Sequence, residues 1–215
     1  MYLILMGPPG SGKGTQAKLL IDHFGIDHIS TGDMLRATAA ADSSMGRMVK
    51  EILDEGHLVA DELVAQLVDY RLDHDNIASG FVMDGYPRTE VQTHSFDQSM
   101  TRRGLVLDAA ILLEVNDNIV VSRMNGRRID PRTGQTYNLS ENGDIPREIR
   151  DRLQQREDDT DEVMRERLQV YHAQIAPVIE HYQRQNLLVR VDGMAAPDEI
   201  FAEIRRQTEN IAQRS

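Results

Sequence analysis

Residues 7–15 read Gly-Pro-Pro-Gly-Ser-Gly-Lys-Gly-Thr, directly after the apolar segment Tyr2–Met6 and before a segment with helical periodicity. Glycines between a strand and a helix let backbone N–H groups turn inward, and the helix N-terminus adds a positive dipole end. A lysine at this position reaches the β- and γ-phosphates of a nucleotide. The alternative is a glycine-rich turn that binds nothing. The strand–helix context favours a phosphate-binding loop made of Gly10, Ser11, Gly12, Lys13, Gly14 and Thr15.

Short apolar segments alternate with longer helical segments along the rest of the chain. The predicted strands are Tyr2–Met6, Ile26–Ser30, Gly80–Asp84, Ala109–Val115 and Leu187–Val191. Nearly continuous apolar segments of this length are typical of strands buried on both faces. The alternation predicts an α/β fold with a doubly wound, five-stranded parallel sheet and helices on both faces.

Two segments interrupt this alternation. Residues 31–59 read as a helical excursion between the second and third strands. Residues 126–159 are polar and rich in turn-forming residues, including the sequences Asp-Pro-Arg-Thr-Gly at 130–134 and Ser-Glu-Asn-Gly-Asp at 140–144. The second excursion is therefore predicted to lie on the surface and to contain a short hairpin.

Composition excludes several classes of function. The net charge is −11, so the chain lacks the basic surface that non-specific nucleic-acid binding requires. It has no cysteine, which excludes disulfides, a thiol nucleophile and a thiolate zinc site. The N-terminal apolar segment is too short for a signal peptide or a membrane span. We therefore expect a cytoplasmic protein with neither a membrane nor a nucleic acid as partner.

Charged side chains follow the predicted strands at the edge where open α/β sheets bind ligands. Asp84 ends a strand, where it is either a turn or cap residue or the carboxylate that holds Mg²⁺ through water. Arg88 follows it in the sequence Asp-Gly-Tyr-Pro-Arg-Thr at 84–89, and Arg36 follows the second strand in Ser-Thr-Gly-Asp-Met-Leu-Arg at 30–36. Thr31 is expected to cap the helix that starts there. Two arginines at this edge predict a second phosphate site.

Further arginines flank the polar excursion, at positions 123, 127, 128, 156, 165 and 167. Arg123 and Arg127 are four residues apart and share a helix face if the helix continues. A solvated face with ion pairs within the helix is the alternative. The whole set favours stabilisation of phosphate charge, because phosphoryl transfer depends on positioning and on positive charge around the oxygens. Two phosphate sites predict transfer between two phosphorylated substrates, with no general base.

The chain closely resembles the adenylate kinase family of nucleoside monophosphate kinases over nearly its whole length. The resemblance is carried by the segments 7–15, 30–36, 55–64, 84–89 with Gln92, 123–128, 156–159 and 165–172. It implies a core formed by 1–29, 60–125 and 160–215, a monophosphate-binding insert at 30–59, and a lid at 126–159. It also implies reversible transfer from Mg·ATP to AMP, with Mg²⁺ as cofactor and a monomeric enzyme.

The same resemblance implies a role for each site residue. ATP contacts would come from Gly10–Thr15, Arg123, Arg127, Thr136, Tyr137 and the backbone at Ala195. AMP contacts would come from Thr31, Arg36, His57, Leu58, Val59, Gly85, Tyr86, Pro87, Arg88, Gln92, Arg156 and Arg167. Catalysis would depend on Lys13, Arg88, Arg127, Arg156 and Arg167, with Asp84 organising water around Mg²⁺.

Some lids of this family carry four cysteines around zinc, and this chain has none. Polar contacts are therefore expected to hold the lid, with Asp130 and Thr133 as candidates, and Asp158 and Asp159 are expected to pair with arginines at its hinge. Two alternatives stay open: a kinase for UMP, CMP or GMP, and a nucleotide-gated binding protein without turnover. Thr31 and Gln92 discriminate the first, since they would read adenine. The set of phosphate-facing arginines argues against the second.

Overall fold

The computed structural model describes residues 1–55, 57, 59–74, 77–139, 145–155 and 159–212. The strands are β1 (Tyr2–Met6), β2 (Asp27–Ser30), β3 (Phe81–Asp84), β4 (Ala109–Glu114), β5 (Arg127–Ile129), β6 (Thr136–Asn138) and β7 (Leu188–Asp192). The helices are α1 (Lys13–Phe24), α2 (Thr31–Ala40), α3 (Ser44–Asp54), α4 (Asp61–His74), α5 (Glu90–Arg102), α6 (Asp117–Gly126), α7 (Arg147–Arg150), α8 (Asp161–Arg184) and α9 (Pro197–Ala212). A 3₁₀ turn covers Ile77–Ser79.

In the described part of the chain, five parallel strands form the main sheet in the order β2-β3-β1-β4-β7. The predicted parallel sheet is therefore confirmed, with each strand end within one residue of its predicted position. The central strand β1 is apolar because both of its faces are covered: Leu3, Ile4 and Leu5 are fully buried. The register places Asp84 level with Leu5 on one side and Ser30 on the other, so all three strands end at one edge.

Helices cover both faces of the sheet, as predicted. Ile4 and Met83 pack in one apolar cluster with residues of α4, α5 and α8. Leu3 and Leu5 belong to the other cluster, with residues of α1 and α9. Alternate residues of β1 thus anchor opposite layers, and the loop between β1 and α1 is held at the carboxyl edge of the sheet by packing on both sides.

The two excursions have structures of their own. Helices α2 and α3 lie between β2 and β3 in the chain and contact each other. Strands β5 and β6 form the predicted antiparallel hairpin, pairing Arg127 with Asn138 and Ile129 with Thr136. Its turn lies within Asp130–Gly134, where Gly134 has a φ of 71°. The other turn-rich sequence, 140–144, lies outside the described residues.

One expectation about the arginines is wrong. Helix α6 ends at Gly126, and Arg127 already has extended backbone angles, with φ −67° and ψ 135°. Arg123 and Arg127 therefore do not share a helix face. The reason is that the chain leaves the helix at this point to start strand β5, so spacing along a continued helix does not apply.

Candidate active site

The loop between β1 and α1 has the backbone that a phosphate-binding loop needs. Gly10 and Gly12 have φ angles of 78° and 95°, in the region that favours glycine. A Cβ at Gly10 would also lie 2.7 Å from Cγ of Met124 in α6. The Ser11 hydroxyl is buried and has no hydrogen-bond partner among the described residues, which leaves it available to a ligand. The predicted loop conformation is therefore present.

Lys13, the first residue of α1, reaches back across this loop. Its Nζ donates to the carbonyl oxygens of Gly7 and Pro8, at 2.9 Å each. Burial lowers the pKa of Lys13 to about 8; the charge of Asp84 opposes this shift, and the charges of Arg88 and Arg127 add to it. Lys13 therefore lies at the centre of a cluster of positive charges with one carboxylate among them.

Asp84 ends β3 beside this lysine, and its side chain is 13% exposed. His28 of β2 places Nε2 3.5 Å from a carboxylate oxygen of Asp84, and this buried nitrogen has no hydrogen-bond partner among the described residues. Sequence reasoning missed His28. The sequence signal that could have found it is its position in the predicted strand, two residues before Ser30. The register pairs Ser30 with Asp84.

A crevice opens beside the loop, between α2, α3 and α8. Its lining combines apolar side chains with three arginines, and the residues that matter here are Lys13, Leu35, Arg36, Leu53, His57, Val59, Gly85, Pro87, Arg88 and Arg167. The crevice therefore brings together Arg36, Arg88 and Arg167, which are far apart in the sequence. An apolar wall facing several cations suits an aromatic base that carries a phosphate.

Arg88 stands near the middle of these charges. Its Nε donates to the Gly85 carbonyl at 2.7 Å. Crowding by protein atoms in the crevice lowers the pKa of Arg88, Asp84 raises it, and the positive charges of Arg167 and Arg36 lower it further. Arg36 pairs with Asp33 at its own end of the crevice. Burial raises the pKa of Asp33, but the hydrogen bond and charge of Arg36 outweigh it, so that the net shift is downward.

The predicted base-reading side chains lie behind the crevice. The Thr31 hydroxyl donates to the carbonyl oxygens of Asp84 (3.3 Å) and Gly85 (3.1 Å). It does not cap α2 as expected, because Ser30 precedes the helix and accepts from the N–H of Asp33. Gln92 is 3% exposed. Tyr86 is buried beneath it and donates to its backbone carbonyl at 3.3 Å.

Arg123 and Arg127, on either side of the end of α6, donate to acceptors in two distant loop segments. Nε of Arg127 donates to Oδ2 of Asp159 at 2.7 Å, its Nη2 donates to the second oxygen, and Asp159 is buried. Arg123 donates to the Gly193 carbonyl at 2.9 Å, which places it two residues from Ala195. The expected pairing of Asp159 with an arginine is therefore present.

The hairpin has its own ion pair. Asp130 is fully buried and accepts two bonds from Arg152, at 2.8 and 2.7 Å, and one from the Thr133 hydroxyl at 3.1 Å. The hydrogen bonds from Arg152 hold the pKa of Asp130 well below its usual range. Asp130 and Thr133 thus hold this segment together as expected, whereas Arg152 was missed. Nothing in the local sequence distinguishes it from its arginine neighbours. Thr136 is exposed and Tyr137 half-buried on the same hairpin.

Three of the predicted site and hinge residues, Leu58, Arg156 and Asp158, lie outside the described residues. Within the described part of the chain, no helix combines the length and the apolar composition needed to cross a membrane.

Comparison with known proteins places the chain in a family. A sequence model described as adenylate kinase matches residues 5–187. The adenylate kinase of Kosmotoga olearia is 42% identical over 215 residues, which cover 98% of this chain and all of the relative. The adenylate kinases of Streptococcus pyogenes serotype M6 and Streptococcus agalactiae serotype III are each 42% identical over 207 residues, which cover 96% of this chain and 97% of each relative. The match extends over the phosphate-binding loop, the crevice and the arginines at positions 123 and 127, and the chain belongs to the adenylate kinase family.

Proposed function

We propose that this chain transfers the γ-phosphoryl group of ATP reversibly to AMP, giving two ADP. The observation that carries the proposal is that a phosphate-binding loop and an arginine-lined crevice share one group of charges. Lys13 of the loop is close enough to Arg88 of the crevice for each charge to act on the other. Two phosphate sites in such proximity are what transfer between two nucleotides requires.

The ATP half of the proposal uses the loop and the lid side. The loop Gly10–Thr15 surrounds the phosphates with backbone N–H groups, and Lys13 neutralises the charge that is transferred. Arg123 stacks on the adenine, next to the backbone at Ala195. Arg127, Thr136 and Tyr137 approach ATP from the hairpin. The hydrogen bond from Arg123 to the Gly193 carbonyl supports the proposal that Arg123 and the backbone at Ala195 contact the same adenine.

The AMP half uses the crevice. Arg36 and Arg88 bind the phosphate, and the turn Gly85–Pro87 lies beside it. Leu35, Leu53 and Val59 supply the apolar wall against which a base stacks. Thr31, Gln92 and the backbone of 57–59 read the adenine edge.

Transfer itself needs little covalent help from the protein. The acceptor phosphate is already anionic near neutral pH, so no general base is required. Lys13, Arg88, Arg127, Arg156 and Arg167 supply positive charge around the oxygens of the moving group. We propose a core of 1–29, 60–125 and 160–215 that carries two moving inserts, 30–59 and 126–159. Their closure would exclude water, which would otherwise accept the phosphoryl group.

The residues present fit a magnesium ion carried by the nucleotide. Asp84 offers carboxylate oxygens at the mouth of the loop, and no cluster of three or more His, Asp or Glu ligands occurs in the described residues. One carboxylate suits Mg²⁺, which keeps several waters and binds through phosphates. The ion neutralises phosphate charge when bound, and Asp84 would hold its water. A monomer in the cytoplasm remains the expectation from the family resemblance.

The test is a phosphoryl-acceptor panel. Purified protein with Mg·ATP is offered AMP, dAMP, CMP, UMP, GMP or no acceptor, and the diphosphate products are counted. We expect strong preference for AMP and little ADP in its absence. Lys13→Met should lose turnover by orders of magnitude, because the charge acts mainly in the transition state. Preference for another base would discard Thr31 and Gln92 as readers, and binding of ATP without transfer to any acceptor would refute the proposal.

A further inference from the structure

Asp61, which is not among the proposed ligand contacts, accepts a hydrogen bond from the side chain of Gln92. Asp61 is the first residue of α4. One of its oxygens accepts from Nε2 of Gln92 at 2.7 Å, and the other accepts from the Thr89 hydroxyl at 2.6 Å. On the opposite side of the same amide, Oε1 of Gln92 accepts from the backbone N–H of Arg88 at 2.8 Å. The buried amide is therefore held between an acceptor and a donor.

These two partners allow only one orientation of the amide. An ionised carboxylate can only accept hydrogen bonds, and a backbone N–H can only donate. A half-turn of the amide would place its oxygen against the carboxylate and its NH₂ group against the N–H of Arg88. Both hydrogen bonds would be replaced by repulsive contacts inside the protein, where unpaired polar groups are costly. Asp61 and Arg88 thus fix which side of Gln92 is NH₂ and which is oxygen.

The fixed orientation decides what the amide offers a base. After these two bonds Gln92 has one N–H and one oxygen lone pair left. Adenine presents an acceptor at N1 and a donor at its 6-amino group, whereas hypoxanthine and guanine present a donor at N1 and an acceptor at O6. An amide that could turn would pair with either pattern. An amide that cannot turn pairs with one.

We propose that Asp61 is a specificity-determining positioning residue, which locks Gln92 in the orientation that accepts a 6-aminopurine and rejects a 6-oxopurine. The inference rests on the proposed function, in which Gln92 reads the base of the acceptor nucleotide. Asp61 touches neither substrate nor reacting atoms in this assignment. It acts only through the Gln92 amide and leaves the phosphate contacts to Arg36 and Arg88.

The test compares AMP with inosine monophosphate, which has the same shape but the opposite pattern at positions 1 and 6. The measured quantity is kcat/KM for AMP divided by kcat/KM for inosine monophosphate, each with Mg·ATP. Asp61→Ala removes one of the two partners that fix the amide and leaves only the N–H of Arg88. We expect the ratio to fall by about tenfold, the factor that corresponds to one hydrogen bond with a charged partner.

The matched control is Asp69→Ala. Asp69 lies on the same helix and also ties α4 to α5, through Arg102 (2.9 Å), Arg103 (3.1 Å) and Ser99. Its removal should lower the melting temperature while the ratio stays within twofold of wild type. A fall of the ratio in Asp69→Ala equal to that in Asp61→Ala would overturn the inference, because loosening the helix pair would then suffice.

A milder variant keeps the test decisive if Asp61→Ala does not fold. Asp61→Asn preserves the size of the side chain but can turn either its oxygen or its NH₂ group to Gln92, so we expect the ratio to fall by more than twofold. A ratio within twofold of wild type in the folded variants would overturn this inference and leave the proposed function unaffected. A wild-type protein that does not phosphorylate AMP would overturn both this inference and the proposed function.

Discussion

The lowered pKa of Lys13 predicts that the affinity for ATP falls as the pH rises from 7 to 9. Its pKa lies near 8 instead of 10.5, chiefly because the ammonium group is shielded from water, and also because Arg88 and Arg127 are close by. Phosphate binding requires the charged form. Raising the pH from 7 to 9 therefore removes the charge from most Lys13 side chains before the nucleotide arrives.

The magnitude follows from the proton equilibrium. With a pKa of about 8, roughly nine-tenths of the Lys13 side chains are protonated at pH 7 and about one-tenth at pH 9. If only the protonated form binds, affinity for ATP falls by about tenfold over this interval, which is about 1.4 kcal/mol. Bound phosphate raises the pKa again, so binding at pH 9 takes up nearly one proton per nucleotide and binding at pH 7 takes up almost none.

Isothermal titration calorimetry measures both quantities. The dissociation constant of ATP is measured at pH 7, 8 and 9, and proton uptake is obtained by repeating the titration in buffers of different ionisation enthalpy. Lys13→Met is the control, since it has no proton to gain and should give a weaker but nearly flat profile. Lys13→Arg keeps the charge at pH 9 and should also be flat. A wild-type affinity that is constant from pH 7 to 9, or the same loss in Lys13→Met, would refute the reasoning.

Three further predictions test separate parts of the structure. Arg88→Ala should raise the KM for AMP at least tenfold and change ATP affinity less than threefold, since a charge-assisted phosphate contact is lost at one site only; equal losses for both nucleotides would contradict the two-site assignment. Arg152→Ala leaves Asp130 buried without its cation. Thermolysin should therefore cleave this variant within 126–155 several-fold faster than it cleaves the neighbouring control Arg150→Ala. Equal cleavage rates would show that the ion pair does not hold the hairpin. The buried Tyr182 hydroxyl has no hydrogen-bond partner among the described residues. Tyr182→Phe should therefore leave the melting temperature unchanged or raise it by about 2–4 °C. A comparable fall would reveal a partner for the hydroxyl.

The sequence was sufficient to predict the features that depend on local chemistry. The phosphate-binding loop is predictable because the left-handed backbone at Gly10 and Gly12 needs glycine, and the parallel sheet because strands buried on both faces must be apolar. The hairpin was predictable for a similar reason, since the turn at 130–134 contains Asp, Pro and Gly. In each case the determining residues are neighbours in the chain.

Contacts between distant charges were not predictable in the same way. The chain has 24 basic and 35 acidic side chains, so many pairings satisfy charge alone. The pairing of Arg152 with Asp130 and the hydrogen bond from Gln92 to Asp61 depend on where a hairpin and two helices lie relative to one another. The expected helix face shared by Arg123 and Arg127 was wrong for the converse reason. Spacing describes a face only while the helix lasts, and α6 ends between them.

The partners of the cationic side chains determine how each of them meets a phosphate. Arg36 and Arg127 are paired with the carboxylates of Asp33 and Asp159, so an anion must compete for them. Lys13 and Arg88 are held by backbone carbonyl oxygens, which orient them without cancelling their charge.

The same two side chains have lowered pKa values, chiefly because protein atoms shield them from water and in part because neighbouring arginines repel them. A phosphate that binds to Lys13 or Arg88 therefore removes a repulsion already present in the protein. A phosphate that binds to Arg36 or Arg127 instead has to replace a favourable pair. We propose that affinity at each of the two proposed nucleotide sites comes mainly from the cation held by backbone carbonyl oxygens. The arginines held by carboxylates would contribute when closure and substrate charge together outweigh their present partners.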